Sequence, residues 1–349
     1  MNNIIDELIR IGNKRSCDTL FYAEIPNHYT NEFLQDGFQL ALNHFSKTKH
    51  IYQNQNWIHS DLPNRIEIVA GNTIDEFVED WLNKHIDISQ EHLIQQKIYQ
   101  TPSNRYLLCK MNHVLADGVS MLMFLEAQIK RNFRESKLIL KELPPKKNTP
   151  YKFLLPSQVP MDFNGFSDHR SFLYFKTRKF TNNEIIAGIF GALKALGVNR
   201  RSVWLPVNIR KSLASGFGNG ISRMRIYDHE NISIKQQKKD NYKNGELIGI
   251  PKIKKLNMIM KWLVLGFLNR PLIDYGSILL SHFDENKAGF NVLGEFNDIH
   301  GIINLHHRYS MSIYVHGCKE DHYTIVFDEK QIKLDTIKRF RDEFIKSLS

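Results

Sequence analysis

A proline-rich segment over residues 143–160 constrains the fold of this chain more than any other sequence feature. Its prolines stand at positions 144, 145, 150, 156 and 160. Proline fixes φ and removes a backbone N–H donor, so this density favours an extended linker over regular structure. The chain has 349 residues, more than one hydrophobic core usually organises. We therefore predict an N-terminal domain over 1–142, a linker over 143–160 and a C-terminal domain over 161–349.

Hydrophobic periodicity predicts helices and strands in both halves of the chain. Predicted helices are one capped by Thr30, the buried Val119–Phe133, Asn183–Leu196 and the amphipathic Ile332–Leu348. Predicted strands are Arg65–Val69, Arg105–Met111, Ser171–Phe175, Val203–Val207, Met311–Val315 and His322–Phe327. Hydrophobic residues make up 42% of the chain and charged residues 24%, as in ordinary globular proteins. The fold class is therefore α/β or mixed α+β.

Cysteine spacing and hydropathy give expectations about metal binding and location. Cys17, Cys109 and Cys318 are widely separated and lack CxxC spacing, which predicts neither a disulfide framework, nor a zinc site, nor any other bound metal. Three such cysteines, and a beginning unlike a signal peptide, favour the cytoplasm. The apolar stretch Trp262–Leu268 is far shorter than the roughly 20 residues of a membrane helix. With its basic flanks, Met258–Leu268 is a candidate for peripheral membrane contact or for packing in the core.

The chain is basic, with a formal net charge of +10 at pH 7. Lysines are concentrated over Lys235–Lys255, which is either a solvated loop or a surface for an anionic partner. No recognised nucleic-acid-reading motif accompanies this charge, so we expect no nucleic-acid partner. A phosphate-bearing coenzyme or an acidic carrier protein fits the charge as well as any other anion.

The segment from Asn112 to Gly118 carries the clearest chemical pattern in the sequence. Of fifteen histidines, only His113 has an aspartate four residues later, Asp117, and a glycine follows it. The pattern lies where a predicted strand gives way to a turn and a buried helix. A partly desolvated imidazole there favours its neutral form, which accepts protons near pH 7. A strand-end histidine that is merely hydrogen-bonded in the core is the structural alternative.

This segment resembles the HHxxxDG signature of the coenzyme-A-dependent acyltransferase superfamily, which includes chloramphenicol acetyltransferase and peptide-synthetase condensation domains. Three further stretches resemble family stretches in the same order. They are Thr181-Asn182-Asn183-Glu184 before an Ala-rich helix, Pro206-Val207-Asn208-Ile209-Arg210 with Gly218-Asn219, and Asn291-Val292-Leu293-Gly294. Together the four stretches span most of the chain.

The resemblance implies two chloramphenicol-acetyltransferase-like domains with an active-site channel between them. It implies that His113 is the general base of an acyl transfer from acyl-coenzyme A or an acyl carrier protein to an alcohol or amine. No bound cofactor is implied, because the thioester is a co-substrate. Asp117 would pair with Arg210 of the second domain to support the turn, and Gly118 would keep the turn tight. Asn219 and Asn291 are candidates for oxyanion or channel residues.

The sequence departs from the family pattern in three places. Asn112 replaces the first histidine of the signature, and strand alternation predicts that it points away from His113 in a supporting role. Glu184 and Gly289 replace an aspartate and a serine of the family stretches. These departures motivate the alternative of a catalytically silent, condensation-like binding or scaffold module.

Overall fold

The computed structural model describes residues 18–53, 56–141, 169–212, 216–243, 274–284, 290–302, 309–317 and 320–349. These residues divide into two compact units. Unit 1 is formed by the described parts of Met1–Lys141, Arg210–Gly220 and Asp284–Asn304. Unit 2 is formed by the described parts of Glu142–Ile209, Ile221–Phe283 and Leu305–Ser349. The predicted linker, residues 251–273 and Gly289 lie outside the described residues, as do Cys17 and Cys318.

Unit 1 contains a five-stranded sheet with strand order β11-β1-β6-β5-β4. Its strands are β1 (Asp18–Glu24), β4 (Glu67–Ala70), β5 (Ile94–Gln100), β6 (Arg105–Asn112) and β11 (Asn297–Ile302). Its helices are α1 (Asn31–His44), α2 (Ile74–Asn83) and α3 (Gly118–Lys130). A hairpin of β2 (His50–Gln53) and β3 (Asn56–His59) completes the unit. The predicted cap of α1 is confirmed, because Thr30 Oγ1 accepts a hydrogen bond from Phe33 N.

Strand β6 is the centre of this sheet and is covered on both faces. Its neighbours are β1 and β5, both antiparallel to it. The face of β6 that carries Cys109 is covered by α3. There the side-chain amides of Gln96 and Gln128 donate to each other's oxygens at 2.7 and 2.8 Å. On the other face Lys110 Nζ donates to the main-chain oxygens of Trp81 and Lys84 at the end of α2. The last six residues of β6 are therefore buried, and the turn that follows the strand begins from this buried end.

Unit 2 contains a six-stranded sheet with strand order β7-β13-β12-β10-β8-β9. Its strands are β7 (Ser171–Thr177), β8 (Ser202–Asn208), β9 (Ile221–Tyr227), β10 (Asp274–Asp284), β12 (Tyr309–Gly317) and β13 (Asp321–Phe327). Its helices are α4 (Asn182–Ala195), α5 (Ile234–Lys243) and α6 (Leu334–Leu348). Every strand predicted after the linker is present. Phe344 of α6 packs against Phe175 and Tyr323, with ring centroids 6.0 and 5.4 Å apart.

Helix α4 begins at the stretch that resembles a family motif. Thr181 caps it, and the side chain of Glu184 accepts a hydrogen bond from Thr181 N to complete a capping box. The pKa of Glu184 is lowered by its hydrogen bonds with Thr181, as an anion at a helix N-terminus requires. The departure from aspartate to glutamate at this position is thus accommodated by capping. In the described residues no helix is long and apolar enough to cross a membrane.

Candidate active site

The turn that carries His113 begins one residue earlier than strand alternation suggests. Strand β6 ends at Asn112, and Leu115 N donates to Asn112 O at 2.9 Å to close a turn over 112–115. The strand predicted over Arg105–Met111 is present and runs to Asn112, so His113 is the first residue after the strand and not its last residue. Because His113 lies in a turn, its direction is set by the contacts of the turn and not by the alternation of β6. Its side chain is half-buried, whereas Asn112 and Val114 on either side of it are buried.

Asn112 supports the first half of this turn from within. Its Oδ1 accepts a hydrogen bond from Val114 N at 3.0 Å, an Asx-type contact that stabilises the turn. Its Nδ2 donates to Asp18 Oδ1 at 2.7 Å. Asp18 Oδ2 in turn accepts from Ile86 N at 3.0 Å and lies 4.0 Å from Lys110 Nζ. An asparagine that both accepts and donates fits between a backbone amide and a buried carboxylate.

Two distant side chains hold the main-chain oxygens of the turn. Asn219 Nδ2 donates to His113 O at 2.9 Å and to Val114 O at 3.3 Å. Lys47 Nζ donates to Leu115 O at 2.6 Å and lies 4.5 Å from the centre of the Trp57 ring. Since buried carbonyl groups are costly unless hydrogen-bonded, these contacts stabilise the conformation that presents His113.

Asp117 ends the turn and starts α3. Its Oδ1 accepts from Ser120 N at 3.0 Å, the contact of an N-cap residue. The same oxygen accepts from Arg210 Nη2 at 2.7 Å, and Oδ2 accepts from Gly220 N at 2.8 Å. Burial alone raises the pKa of Asp117, but the Arg210 guanidinium and the two amides hold it below its ordinary value. The carboxylate is therefore charged and fully paired.

Arg210 links α3 to the segment that follows β8. Its Nε donates to Gly216 O at 3.1 Å, and its Nη2 also donates to Ser120 Oγ at 2.9 Å and Gly218 O at 2.7 Å. Ser120 Oγ both donates to Gly218 O and accepts from Gly218 N. Gly218 has φ of +139°, a conformation that favours glycine. One guanidinium thus organises the helix start and a glycine-rich loop together.

The predicted contact between Asp117 and Arg210 is present, but it lies within one unit. Arg210–Gly220 groups with unit 1, and Leu140 and Arg210 form an isolated antiparallel bridge. Lys211 N also donates to Ile139 O at 2.9 Å. The division predicted at residues 143–160 places Arg210 in the C-terminal domain. Main-chain pairing with residues 139 and 140, together with the contacts to Asp117, holds this segment to unit 1.

Gly118 occupies a different environment from the one predicted. It is the first residue of α3, is exposed, and has no atom within 4 Å of an added Cβ. Its φ is not in the left-handed region. Neither a tight turn nor a close approach therefore explains a glycine here.

The two candidate oxyanion residues have unlike surroundings. Asn219 is fully buried, and its side-chain nitrogen is directed to the main-chain oxygens of His113 and Val114. Asn291 is exposed and lies just before the short 3-10 helix Leu293–Glu295. That helix is tied to unit 1 through Glu295, which accepts from Tyr29 Oη at 2.6 Å and pairs with Lys130. Of these two asparagines, only Asn219 has a contact with the His113 turn among the described residues.

Sequence reasoning missed Lys47, Asp18 and Ser120. Ser120 lies three residues after Asp117, so the N-cap geometry of a serine inside the first turn could have drawn attention to it. Lys47 and Asp18 carry no comparable signal, because their contacts join residues 68 and 94 positions apart. In the described residues there is no group of three or more His, Cys, Asp or Glu arranged to hold a metal ion.

Solved structures of nonribosomal peptide synthetase domains are similar to this chain over its whole length. The epimerization domain from the third module of tyrocidine synthetase B matches 100% of this chain and 94% of that one, with TM-score 0.58 and 14% identity. The EpoB cyclization-docking bidomain from Sorangium cellulosum matches 99% and 82%, with TM-score 0.68 and 10% identity. The starter condensation domain of rhizomide synthetase RzmA matches 100% and 95%, with TM-score 0.57 and 9% identity.

The chain has the fold of the condensation, epimerization and cyclization domains of nonribosomal peptide synthetases. The predicted mixed α/β class with two acyltransferase-like units is thereby confirmed. No protein-family model and no curated protein matches the sequence. At 8–14% identity the condensation-domain fold is established by three-dimensional similarity, and the function has to be argued from the site.

Proposed function

We propose that this protein is an acyltransferase that moves an acyl group from a thioester to a hydroxyl or amine, with His113 as general base. The observation that carries the proposal is the construction of the His113 turn. Its main chain is held by Asn112, Asn219 and Lys47, while the His113 side chain keeps access to solvent. Such support is expected of a residue that needs a fixed orientation for proton transfer.

In the proposed reaction, a ring nitrogen of His113 accepts the proton of the acceptor O–H or N–H group. The acceptor oxygen or nitrogen then forms a bond to the thioester carbonyl carbon, and a tetrahedral intermediate results. The carbon–sulfur bond breaks, and the imidazolium returns its proton to the departing thiolate. The products are an ester or amide and a free thiol. No acyl-enzyme is required, and the general-base contribution is on the order of 10²–10⁴-fold.

Cys109 does not supply a competing nucleophile. The thiol is completely buried, and burial raises its pKa to about 12. Because the thiolate is the reactive form, this cysteine is unreactive near pH 7. Its environment therefore argues against a covalent intermediate on Cys109.

We assign Asn219 to positioning His113. Its Nδ2 group already donates to two main-chain oxygens, so an oxyanion would have to compete with both. Asn219→Ala is expected to lower kcat by about tenfold or more at nearly constant KM, since loss of a fixed geometry acts on the transition state. Asn291, which is exposed, remains a candidate channel residue without a contact to this turn.

The donor is proposed to be an acyl-coenzyme A or an acyl carrier protein thioester. Both donors carry phosphate, and an acyl carrier protein is also acidic, so either fits a chain with a net charge of +10. The resemblance of the fold to peptide synthetase domains supports the carrier-bound donor as the first to be tested. We further propose a cytoplasmic protein that needs no metal, cofactor or nucleic acid. Peripheral membrane contact through Met258–Leu268 remains a prediction.

The test is thiol release and product mass after incubation with paired acyl-coenzyme A and carrier-bound donors and a panel of alcohols and amines. Thiol release above the no-acceptor blank is expected, and His113→Ala should abolish it. His59→Ala is the matched control, because His59 is an exposed histidine of the same unit with 57% of its side chain accessible. An unchanged rate in folded His113→Ala protein would reject the general-base role.

The second candidate function is the catalytically silent binding or scaffold module. Asn112 favours it, because a hydrogen-bonding asparagine replaces the first histidine of the family signature. This function predicts saturable binding of the carrier protein without turnover for any acceptor. Equal carrier binding by wild type and His113→Ala, with no thiol release from either, would select it.

A further inference from the structure

One lysine of the described part of the lysine-rich segment differs from the others. Helix α5 carries Lys235, Lys238, Lys239 and Lys243. Lys238 is half-buried, whereas the other three are exposed. The Lys238 side chain contacts the start of α4, which belongs to the same unit. It is therefore neither a solvated lysine nor simply part of a cationic surface.

Two asparagines accept hydrogen bonds from Lys238. Its Nζ donates to Asn182 Oδ1 at 2.6 Å and to Asn183 Oδ1 at 2.7 Å. These asparagines are the first two residues of α4. Asn182 Nδ2 lies 3.3 Å from His282 Nδ1, so its amide is held from both ends. We call Lys238, Asn182 and Asn183 the Lys238 cluster, in which neutral groups fix the position of the lysine nitrogen.

Helix α5 is anchored on β9 on both sides of Lys238. Gln237 Nε2 donates to Tyr227 O at 2.8 Å, and its Oε1 accepts from Tyr227 N at 2.9 Å. Asn241 Nδ2 donates to Arg225 O at 2.9 Å. Gln237 and Asn241 are about one helical turn apart, and both are buried. The main chain from which Lys238 extends is thus held in place.

The geometry of the Lys238 cluster suits a neutral amine. A neutral amine has two N–H donors and one lone pair, and the two asparagine oxygens match the two donors. An ammonium group has a third N–H, and its charge lies at the helix end that disfavours cations. Burial lowers the pKa of Lys238 from its ordinary value to about 8. At about pH 7.5 roughly a quarter of the Lys238 side chains are then neutral, against roughly one in a thousand for an ordinary lysine.

The acidic groups near the Lys238 cluster are engaged by other partners. The elements that carry the cluster and its anchors bring these titratable side chains close to it: Lys235, Lys239, Asp240, Tyr242, Glu184, His282, Arg225 and Tyr227. Glu184 accepts from Thr181 N at 2.6 Å, and Asp240 accepts from Gln236 Nε2 at 2.8 Å. Within the described ranges neither carboxylate forms an ion pair with Lys238. The ammonium form therefore lacks a compensating anion there.

We propose that Lys238 is a site of N-acylation by acyl-coenzyme A, with Asn182 and Asn183 holding its amine in place. The lone pair of the amine forms a bond to the thioester carbonyl carbon, and the carbon–sulfur bond breaks. The departing thiolate keeps the electron pair of that bond and takes up the proton that the nitrogen loses. The products are an N-acyl-lysine and free coenzyme A.

The surroundings of Lys238 suit this donor. Lys235, Lys239 and Lys243 are exposed on the same helix and attract the phosphates of coenzyme A. Acylation leaves a single N–H on Nζ, so only one of the two asparagine contacts can persist. The modification is therefore expected to weaken the link between α5 and α4. The inference does not depend on His113 acting as a base.

Acetyl-coenzyme A is the probe, and acetylation of each lysine of the full-length protein is followed by peptide mass spectrometry over a range of pH. At about pH 7.5, Lys238 is expected to react at least about tenfold faster than Lys239, because its larger neutral fraction outweighs the lower nucleophilicity of a weaker base. The neutral fraction rises with pH and saturates above the pKa. The Lys238 rate should therefore level off above about pH 9, while the Lys239 rate continues to rise. Equal rates at the two lysines, or parallel pH profiles, would overturn the proposal.

Asn183→Ala tests whether the asparagines position the amine. Loss of one acceptor releases the lysine side chain towards solvent, where its ammonium form is hydrated. Acetylation of Lys238 should then slow by about threefold or more and level off at a higher pH. Asn231→Ala, at an exposed position before α5, is the matched control and should stay within about twofold of the wild-type rate. Folded Asn183→Ala protein that reacts as fast as Asn231→Ala would overturn the role of the asparagines.

Discussion

Two buried acidic residues flank the His113 turn, and they are neutralised in different ways. Asp117 contacts Arg210 directly at 2.7 Å, and both side chains are fully buried. Asp18 is 4.0 Å from Lys110, whose ammonium donates to main-chain oxygens of Trp81 and Lys84. In the first case one planar guanidinium joins the carboxylate, a serine and two loop carbonyls. In the second case each ion is satisfied mostly by other partners.

This difference indicates what each pair does for the turn. Arginine presents several donors in a rigid fork, so Arg210 can connect the start of α3 with the 210–220 segment. Lysine offers a compact charge, and Lys110 serves mainly to satisfy carbonyls at the end of α2. The Asp117 pair therefore fastens a distant segment to the turn, while the Asp18 pair stabilises the end of β6 locally.

Removal of the Arg210 side chain should have the largest effect on the free energy of unfolding. Arg210→Met would leave Asp117 buried without its cation, and such changes cost about 3–5 kcal/mol in the free energy of unfolding. Lys110→Met should cost less, about 1–3 kcal/mol, because Asp18 keeps hydrogen bonds from Asn112 and Ile86. Urea denaturation of both variants measures the difference. Equal losses would show that the two pairs are equivalent after all.

A surface arginine provides the control for that measurement. Arg341 pairs with Asp342 at 2.8 Å, but the two side chains are 29% and 63% exposed. Arg341→Met should therefore change the free energy of unfolding by less than about 1 kcal/mol.

The next largest effect on the free energy of unfolding is expected from acidification, which acts on the Asp117–Arg210 pair. The folded-state pKa of Asp117 is lowered, so its contribution to stability is present above its unfolded pKa of about 3.9 and is lost as the pH falls through the folded value. The free energy of unfolding of wild type should thus fall more steeply below pH 4 than that of Asp117→Asn. Parallel pH profiles for the two proteins would mean that Arg210 does not hold the carboxylate in its charged form.

Gly118→Ala should have the smallest effect and the opposite sign. An added Cβ meets no atom within 4 Å, and alanine loses less backbone entropy than glycine in a helix. The unfolding free energy is expected to rise by up to about 1 kcal/mol, as thermal denaturation can measure. A clear destabilisation would restore the prediction that this glycine is needed for a tight turn. If Gly118→Ala is more stable than wild type but turns over the acyl donor more slowly, we would infer that substrate occupies the open space beside residue 118.

Much of the fold and part of the site could be predicted from the sequence. The β6–turn–α3 unit follows from hydrophobic alternation and from a buried helix, which are local properties. The contact of Asp117 with Arg210 followed from family resemblance, since no local pattern connects residues 93 positions apart. Asn219 was found for the same reason, but its contacts with main-chain oxygens depend on coordinates.

Other features were beyond sequence reasoning because they depend on long-range packing. Lys47 has no distinguishing neighbours in the sequence, yet its ammonium reaches Leu115 O at 2.6 Å. The grouping of Arg210 with unit 1 depends on main-chain pairing with Leu140, which no composition or periodicity encodes.

The distance along the chain between the turn and its supports has a consequence for synthesis. Residues 112–117 leave the ribosome about 100 residues before Asn219, whose amide holds the His113 carbonyl 106 positions away. Until the 210–220 segment is made, Asp117 has neither its arginine nor the Gly220 amide. A nascent chain that ends before residue 210 therefore carries an unneutralised carboxylate at the start of α3. Such a truncated product cannot hold His113 in its final orientation, so acquisition of the site is tied to synthesis of the later segment.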